Sequence, residues 1–193
     1  MGSDPAPFMA NLFLYYYESN YVKKVKKKDI FIARKFRHTF RFIDDLLAVN
    51  DDGEFEKCFK DIYPEELELK KEHGGENVAF LDLSISMKGR LFQTSLYDKR
   101  DNFPFSIVRM PFKSSNIPSK IFYSTIGAEI LRISRASSTT EDFTRSAKLV
   151  LKRMLHQGAD PKFITKVLKR AYGRHETLQK FNANAVEFVK SLQ

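Results

Sequence analysis

The 193-residue chain has one cysteine, Cys58, and no tryptophan. A lone cysteine excludes an intrachain disulfide and any multi-cysteine zinc site, and it fits an intracellular, reducing compartment. No run approaches the ~18–20 apolar residues of a membrane span, so no membrane partner is expected. No basic region followed by an apolar core and a small-residue cleavage site opens the chain, so no secretory signal is read. Repeats and low-complexity tracts are absent. The four histidines, His38, His73, His156 and His175, lack metal-ligand spacing.

Charge is present in excess and unevenly placed. Residues 1–100 hold 17 Lys/Arg and 17 Asp/Glu, whereas residues 101–193 hold 16 and 7, so the whole net charge of +9 falls in the second half. A basic half beside a neutral half suits a polyanion lying against one end of the chain; a solvated lysine-rich surface is the plain alternative.

Hydrophobic periodicity and turn chemistry give an α+β reading. Pro5 and Pro7 open an apolar helix over Phe8 to Tyr17, with Ser3 or Asp4 as cap and a basic tail from Lys23 to Lys28. His38 to Phe42 alternates as a strand, Leu46 to Asn50 returns, and Asp44-Asp45 sits at the tip of that hairpin. Gly53 to Tyr63 is a short amphipathic helix, and Glu65 to Lys70 a strand candidate. Val78 to Met87 and Leu91 to Tyr97 form a second hairpin turning at Lys88-Gly89, with Leu81, Leu83 and Ile85 on one face and Asp82 inside the strand. Beyond a loop rich in proline and serine come helices over Ser119 to Ser137, from the capping box Ser138-Thr139-Thr140-Glu141 to Gly158, from Asp160-Pro161 to Tyr172-Gly173, and from Glu176 to Leu192. A mixed part over 1–115 and a basic helical part over 116–193 are the expected domains.

Phe42-Ile43-Asp44-Asp45 carries the sharpest chemistry. Adjacent carboxylates between apolar strands repel unless a cation is held there. Magnesium suits such a pair because it keeps several waters and takes its remaining ligands from substrate phosphates. Aspartate is also an ordinary turn residue. The helices offer a second feature. Arg145, Lys148 and Lys152 fall opposite the apolar stripe of one helix, and Lys162, Lys166, Lys169 and Arg170 opposite that of the next. Such faces suit sequence-independent contacts to nucleic-acid phosphates.

In order and spacing these features resemble reverse transcriptases. Gly2, Ala6, Pro7, Ala10 and Asn11 match that family's Gly-x-x-x-(Ser/Ala)-Pro-x-x-Ala-Asn element, and Phe42, Asp44 and Asp45 its aromatic-x-Asp-Asp hairpin. Phe80-Leu81-Asp82-Leu83, Gly89-Arg90-Leu91 and Leu96-Tyr97-Asp98-Lys99 resemble the primer-grip region of Penelope-like retroelements and their animal relatives, and Asn116-Ile117-Pro118 and the helix at Arg132 to Ala136 also look like that group. The resemblance implies part of a polymerase palm followed by a helical thumb. It implies an RNA-directed DNA polymerase (a nucleotidyltransferase of a retrotransposon) using Mg2+ or Mn2+, with RNA template, DNA primer and deoxynucleotide as partners and a nuclear location. Asp44 would ligate the ion and Asp45 assist. Gly2, Ala6 and Pro7 would line the nucleotide and template pocket, and Leu96 and Tyr97 would seat the primer end. That family carries a further catalytic aspartate on a strand ahead of the Gly-x-x-x-Ala-Pro element, and here only Met1 precedes Gly2. The expectation is a palm-and-thumb portion inactive by itself; a non-catalytic nucleic-acid-binding module is the alternative.

Overall fold

A computed structural model describes residues 4–71, 74–105, 107, 108, 110–181 and 188. The chain is α+β and divides into two compact units, residues 1–74 and 75–193.

The first unit begins with α1 (Ala6–Lys28). Pro7 lies in its first turn, where a missing N–H costs nothing, and Lys26, Lys27 and Lys28 in the last turn complement the helix dipole. The N-cap is Pro5, with no side-chain cap, so Asp4 does not play the part expected of it, and Ser3 lies outside the described residues. A short α2 (Ile30–Lys35) follows, capped by Asp29, whose carboxylate accepts from the Phe31 and Ile32 amides at 2.7 and 3.4 Å. Strands β1 (Thr39–Phe42) and β2 (Asp45–Ala48) then pair antiparallel, Phe42 opposite Asp45 and Thr39 opposite Ala48. His38 closes a turn of 3-10 helix rather than opening the strand. Helix α3 (Glu54–Ile62) buries Phe55 and Ile62. With Tyr63 these residues form a small aromatic core against Leu14, Tyr17, Tyr21, Phe36 and Leu46. The candidate strand over Glu65 to Lys70 is irregular chain instead: both its leucines stay more than a third exposed, so no alternating face is buried.

The second unit opens with a three-stranded antiparallel meander of β3 (Asn77–Phe80), β4 (Leu83–Lys88) and β5 (Leu91–Leu96). The expected single strand over Val78 to Met87 is thus two strands, broken by a two-residue turn at Leu81-Asp82. Leu81 adopts φ 54 and leaves the face it was expected to share with Leu83 and Ile85, and Asp82 sits in the turn, not in a strand.

Helices α4 (Ser119–Ala136), α5 (Thr140–His156) and α6 (Pro161–Arg174) supply the main core. Ile126, Ile130, Ile133, Phe143, Leu151, Ile164 and Leu168 are fully buried there, and Phe143 stacks on Phe181 at 4.4 Å. Asp160 and Pro161 start α6 as expected, but Gly173 lies within the helix rather than ending it. The cap of α5 is Thr139, one residue later than Ser138, because Ser138 is used elsewhere. Its hydroxyl lies 2.9 Å from the Thr94 amide and 2.8 Å from the Thr94 hydroxyl, and its own amide donates to the Thr94 carbonyl, so the α4–α5 corner closes the free edge of β5. Helix α7 is described over Glu176–Gln179; of the longer helix expected to Leu192, residues 182–187 and 189–193 lie outside the described residues.

The Leu81 turn yields a prediction. A two-residue hairpin loop with positive φ at its first central residue follows the type II′ pattern, which favours glycine there. Leucine in that conformation costs roughly 1–2 kcal/mol, partly offset by the backbone entropy glycine loses on folding. Leu81 is 44% exposed, so little burial is forfeited. Leu81→Gly is expected to raise the stability of the unit by up to about 1 kcal/mol in urea denaturation; a loss would show that its side chain contributes more than its backbone costs.

Candidate metal and nucleic-acid sites

Ile43 and Asp44 form the two-residue loop between β1 and β2, and Ile43 has φ 54. A β-branched residue in the left-handed region is a strained outlier. Asp44 holds the second loop position, and Asp45, opposite Phe42, shares a face with it. Phe40 and Phe42 are 51% and 53% exposed, so this face of the hairpin is open; the opposite face, with Arg41 and Leu46, packs inward.

Asp44 and Asp45 are both exposed. Among the described residues no group of three or more His, Cys, Asp or Glu gathers to hold a metal. Two exposed carboxylates without a third fit a hard cation that takes most of its ligands from water and phosphate. They do not make a site closed by protein. Gly2 lies outside the described residues; Ala6 is half-buried and Pro7 exposed in the first turn of α1.

The inner face of the hairpin holds a polar node that sequence reasoning missed. Arg41 Nε donates to Glu18 Oε1 at 2.6 Å, and Nη2 donates to Glu18 Oε2 at 3.2 Å and to the Asn11 carbonyl at 3.4 Å. Nη1 donates to Asn11 Oδ1 at 2.7 Å and to the Ile43 carbonyl at 3.2 Å. The Tyr63 hydroxyl completes the group by donating to Glu18 Oε1 at 2.5 Å. Burial, and then the Glu18 carboxylate, push the Tyr63 hydroxyl well above its ordinary range. The signal was available: Asn11 and Glu18, seven apart, share a helix face, and a base on the inner side of a strand requires an acid near it.

In the second unit Leu96 packs against the helical core. The Tyr97 amide donates to the Asp82 carbonyl at 2.8 Å, and its hydroxyl accepts from Asn102 at 2.8 Å. Asp98 is a hub. Its carboxylate receives Arg100 Nε at 2.7 Å and Arg153 Nη1 at 2.9 Å, and Arg153 Nη2 reaches Asp101 at 2.6 Å. Asp142, buried in the first turn of α5, receives Gln93 of β5, Thr139 and Arg145. Burial pushes its carboxyl up, but those hydrogen bonds and the Arg145 charge outweigh burial and hold it below the usual carboxylate range. Arg132 on α4 pairs with Asp82 at 2.9 Å and with Glu129 at 2.8 Å.

Of the residues expected to meet phosphate, Arg145, Lys152, Lys162, Lys166, Lys169 and Arg170 are exposed and Lys148 is half-buried. Arg145 is engaged by Asp142 at 2.5 Å; the other six have no acidic partner within 4.0 Å among the described residues. Phe163, 51% exposed, stands on α6 beside Lys162 and Lys166 and stacks on Tyr123 at 5.0 Å. No helix among the described residues is long and apolar enough to cross a membrane.

The Asp98 hub makes a pH-dependent contribution. The Arg100 hydrogen bonds first, and those from Arg153 after them, hold its carboxyl far below the usual carboxylate range despite partial burial. A depressed folded-state pKa adds stability above the unfolded value of about 3.9 and loses it as pH falls through the folded value. Asp98→Asn is expected to cost about 1–2 kcal/mol at neutral pH, and its gap from wild type should begin to narrow below about pH 4 and close only as pH falls through the much lower folded value. A gap that persists unchanged in acid would contradict the ionic origin.

No protein-family model, no curated protein and no solved structure matches this chain.

Proposed function

We propose that this chain is a palm-and-thumb portion of an RNA-directed DNA polymerase of the retroelement class, acting in divalent-metal-dependent nucleotidyl transfer. The observation that carries the reading is the turn. Two consecutive carboxylates stand at a two-residue hairpin loop, and that hairpin docks on the proline-initiated helix bearing Ala10 and Asn11. Asp44 would hold Mg2+ or Mn2+, with Asp45 assisting. The bound ion would activate the attacking hydroxyl and stabilise the leaving pyrophosphate. Ala6 and Pro7, with Gly2, would border the nucleotide and template pocket, and Tyr97 would meet the primer end. The lysines of α5 and α6, without an acidic partner among the described residues, would hold the RNA–DNA duplex by its phosphates, in an intracellular, nuclear setting.

The free basic side chains on two consecutive helices also support a second reading, a non-catalytic module that clamps nucleic acid. Two experiments separate the readings from each other and from a structural role. The chain alone is expected not to extend a primer on an RNA template in Mg2+, because among the described residues the two carboxylates stand without a third; extension that Asp44→Asn abolishes would overturn that expectation. Binding to an RNA–DNA hybrid, followed by fluorescence anisotropy, should fall steeply with salt. Charge reversal at Lys148 and Lys166 together should weaken it at least about tenfold and flatten the salt slope by about 2. Binding indifferent to salt and to both reversals would sink both nucleic-acid readings.

A further inference from the structure

The first unit has little core: among its described residues only Phe55, Ile62 and Tyr63 are buried apolar side chains. Its carboxylate turn is nonetheless held in a backbone conformation that isoleucine resists. Something outside the turn must compensate, and one side chain is built to do so.

A guanidinium has five N–H donors in a rigid planar fork. At Arg41 there are five acceptor contacts to match: two carboxylate oxygens of Glu18, the side-chain and main-chain oxygens of Asn11, and the carbonyl of Ile43. The Arg41 side chain is 13% exposed and that of Glu18 26%. Desolvation therefore strengthens the pairing, and leaving either partner unmatched would be costly. Glu18 is in turn fixed by Tyr63 at the end of α3. The only fork contact that leaves this frame goes to the carbonyl of Ile43, immediately before Asp44.

We infer that Arg41 is the positioning residue of the carboxylate turn: it ties the Ile43 carbonyl to Asn11 and Glu18 of α1 and so sets the direction in which Asp44 and Asp45 present their carboxylates. Asn11 then acts on the turn through Arg41. The role of the turn as a cation site rests on the function proposed above; the tie itself does not. Lysine cannot replace arginine here, because an ammonium offers three donors from a single point and cannot span Glu18, Asn11 and Ile43 together.

The test is residue-resolved amide hydrogen exchange on the whole chain, comparing wild type with Arg41→Lys, which keeps the charge, and Asn11→Ala, which keeps the Glu18 pair. Loss of one or two charge-assisted hydrogen bonds corresponds to roughly a tenfold or larger rise in exchange. That rise is expected over Phe42 to Asp45 in both variants, with the amides of α3 unchanged. Exchange at the turn that does not respond, or that rises equally across α3, would overturn the assignment, since the first removes the tie and the second makes Arg41 a general structural support. Mn2+ added to the wild-type chain reads the metal function separately. Paramagnetic broadening confined to Asp44 and Asp45, and weakened in Arg41→Lys, would support both. Wild-type amides that stay sharp would refute the cation reading, while the exchange result still decides whether Arg41 holds the turn.

Discussion

Two paired strands of four residues each cannot hold themselves together in water, so the hairpin of the first unit depends on what lies beneath it. Beneath it is the Arg41 guanidinium, with every donor engaged, joined to Asn11 and Glu18 and through Glu18 to Tyr63. Leu46 adds an apolar contact to the small aromatic core. The largely buried ion pair thus joins the small aromatic core in holding the hairpin. It also carries a geometric consequence that apolar packing could not, because its fork reaches the carbonyl of the residue before Asp44. The outer surface of the same unit is strongly apolar. Phe8, Met9, Leu12, Phe13, Tyr15 and Tyr16 of α1 are all about half-exposed or more.

The second unit divides its basic residues into two kinds. Arg132, Arg145 and Arg153 are committed to carboxylates within the unit: Arg132 fastens the Asp82 turn of the meander to the helices, Arg153 fastens the chain after the meander, and Arg145 pairs within α5. The lysines on the outer faces of α5 and α6 have no such commitment among the described residues. The division follows from side-chain chemistry. A planar fork loses less per hydrogen bond when fixed between elements, and a hydrated ammonium on a flexible stem suits a diffuse field. An arginine committed to an internal carboxylate is already cancelled in the net charge, so the lysines of these outer faces supply the field a polyanion would meet.

Much of this architecture was legible beforehand because it rests on local rules. The Asp160-Pro161 start of α6, the end of α3 before Pro64 and the loop at Asp44 each follow from a residue whose backbone preference or capping oxygen decides the matter. The failures have physical causes as well. Leu81-Asp82 looked like strand interior because leucine rarely takes positive φ, and the sequence carries no glycine there to mark the turn. The cap of α5 slipped by one residue because Ser138 is drawn to Thr94, a contact 44 residues away in the chain. For the Arg41 node the sequence signalled that an acid must lie near, but not which one, and the Asp98–Arg153 contact gave no local sign: these partners are separated by tens of residues, and only folding brings them together. The candidate carboxylates themselves were visible, but the arrangement that holds them was not.

The proposed role of the Asp44–Asp45 turn is to hold a divalent cation. Diffraction from crystals of the chain grown with Mn2+ and a short RNA–DNA hybrid, collected at the manganese absorption edge, tests it most directly. An anomalous peak is expected at roughly 2.1–2.3 Å from a carboxylate oxygen of Asp44, with water or phosphate completing the shell. A peak elsewhere in the chain, or bound hybrid with no peak at the turn, would contradict it and leave the basic helices as the functional part of the molecule.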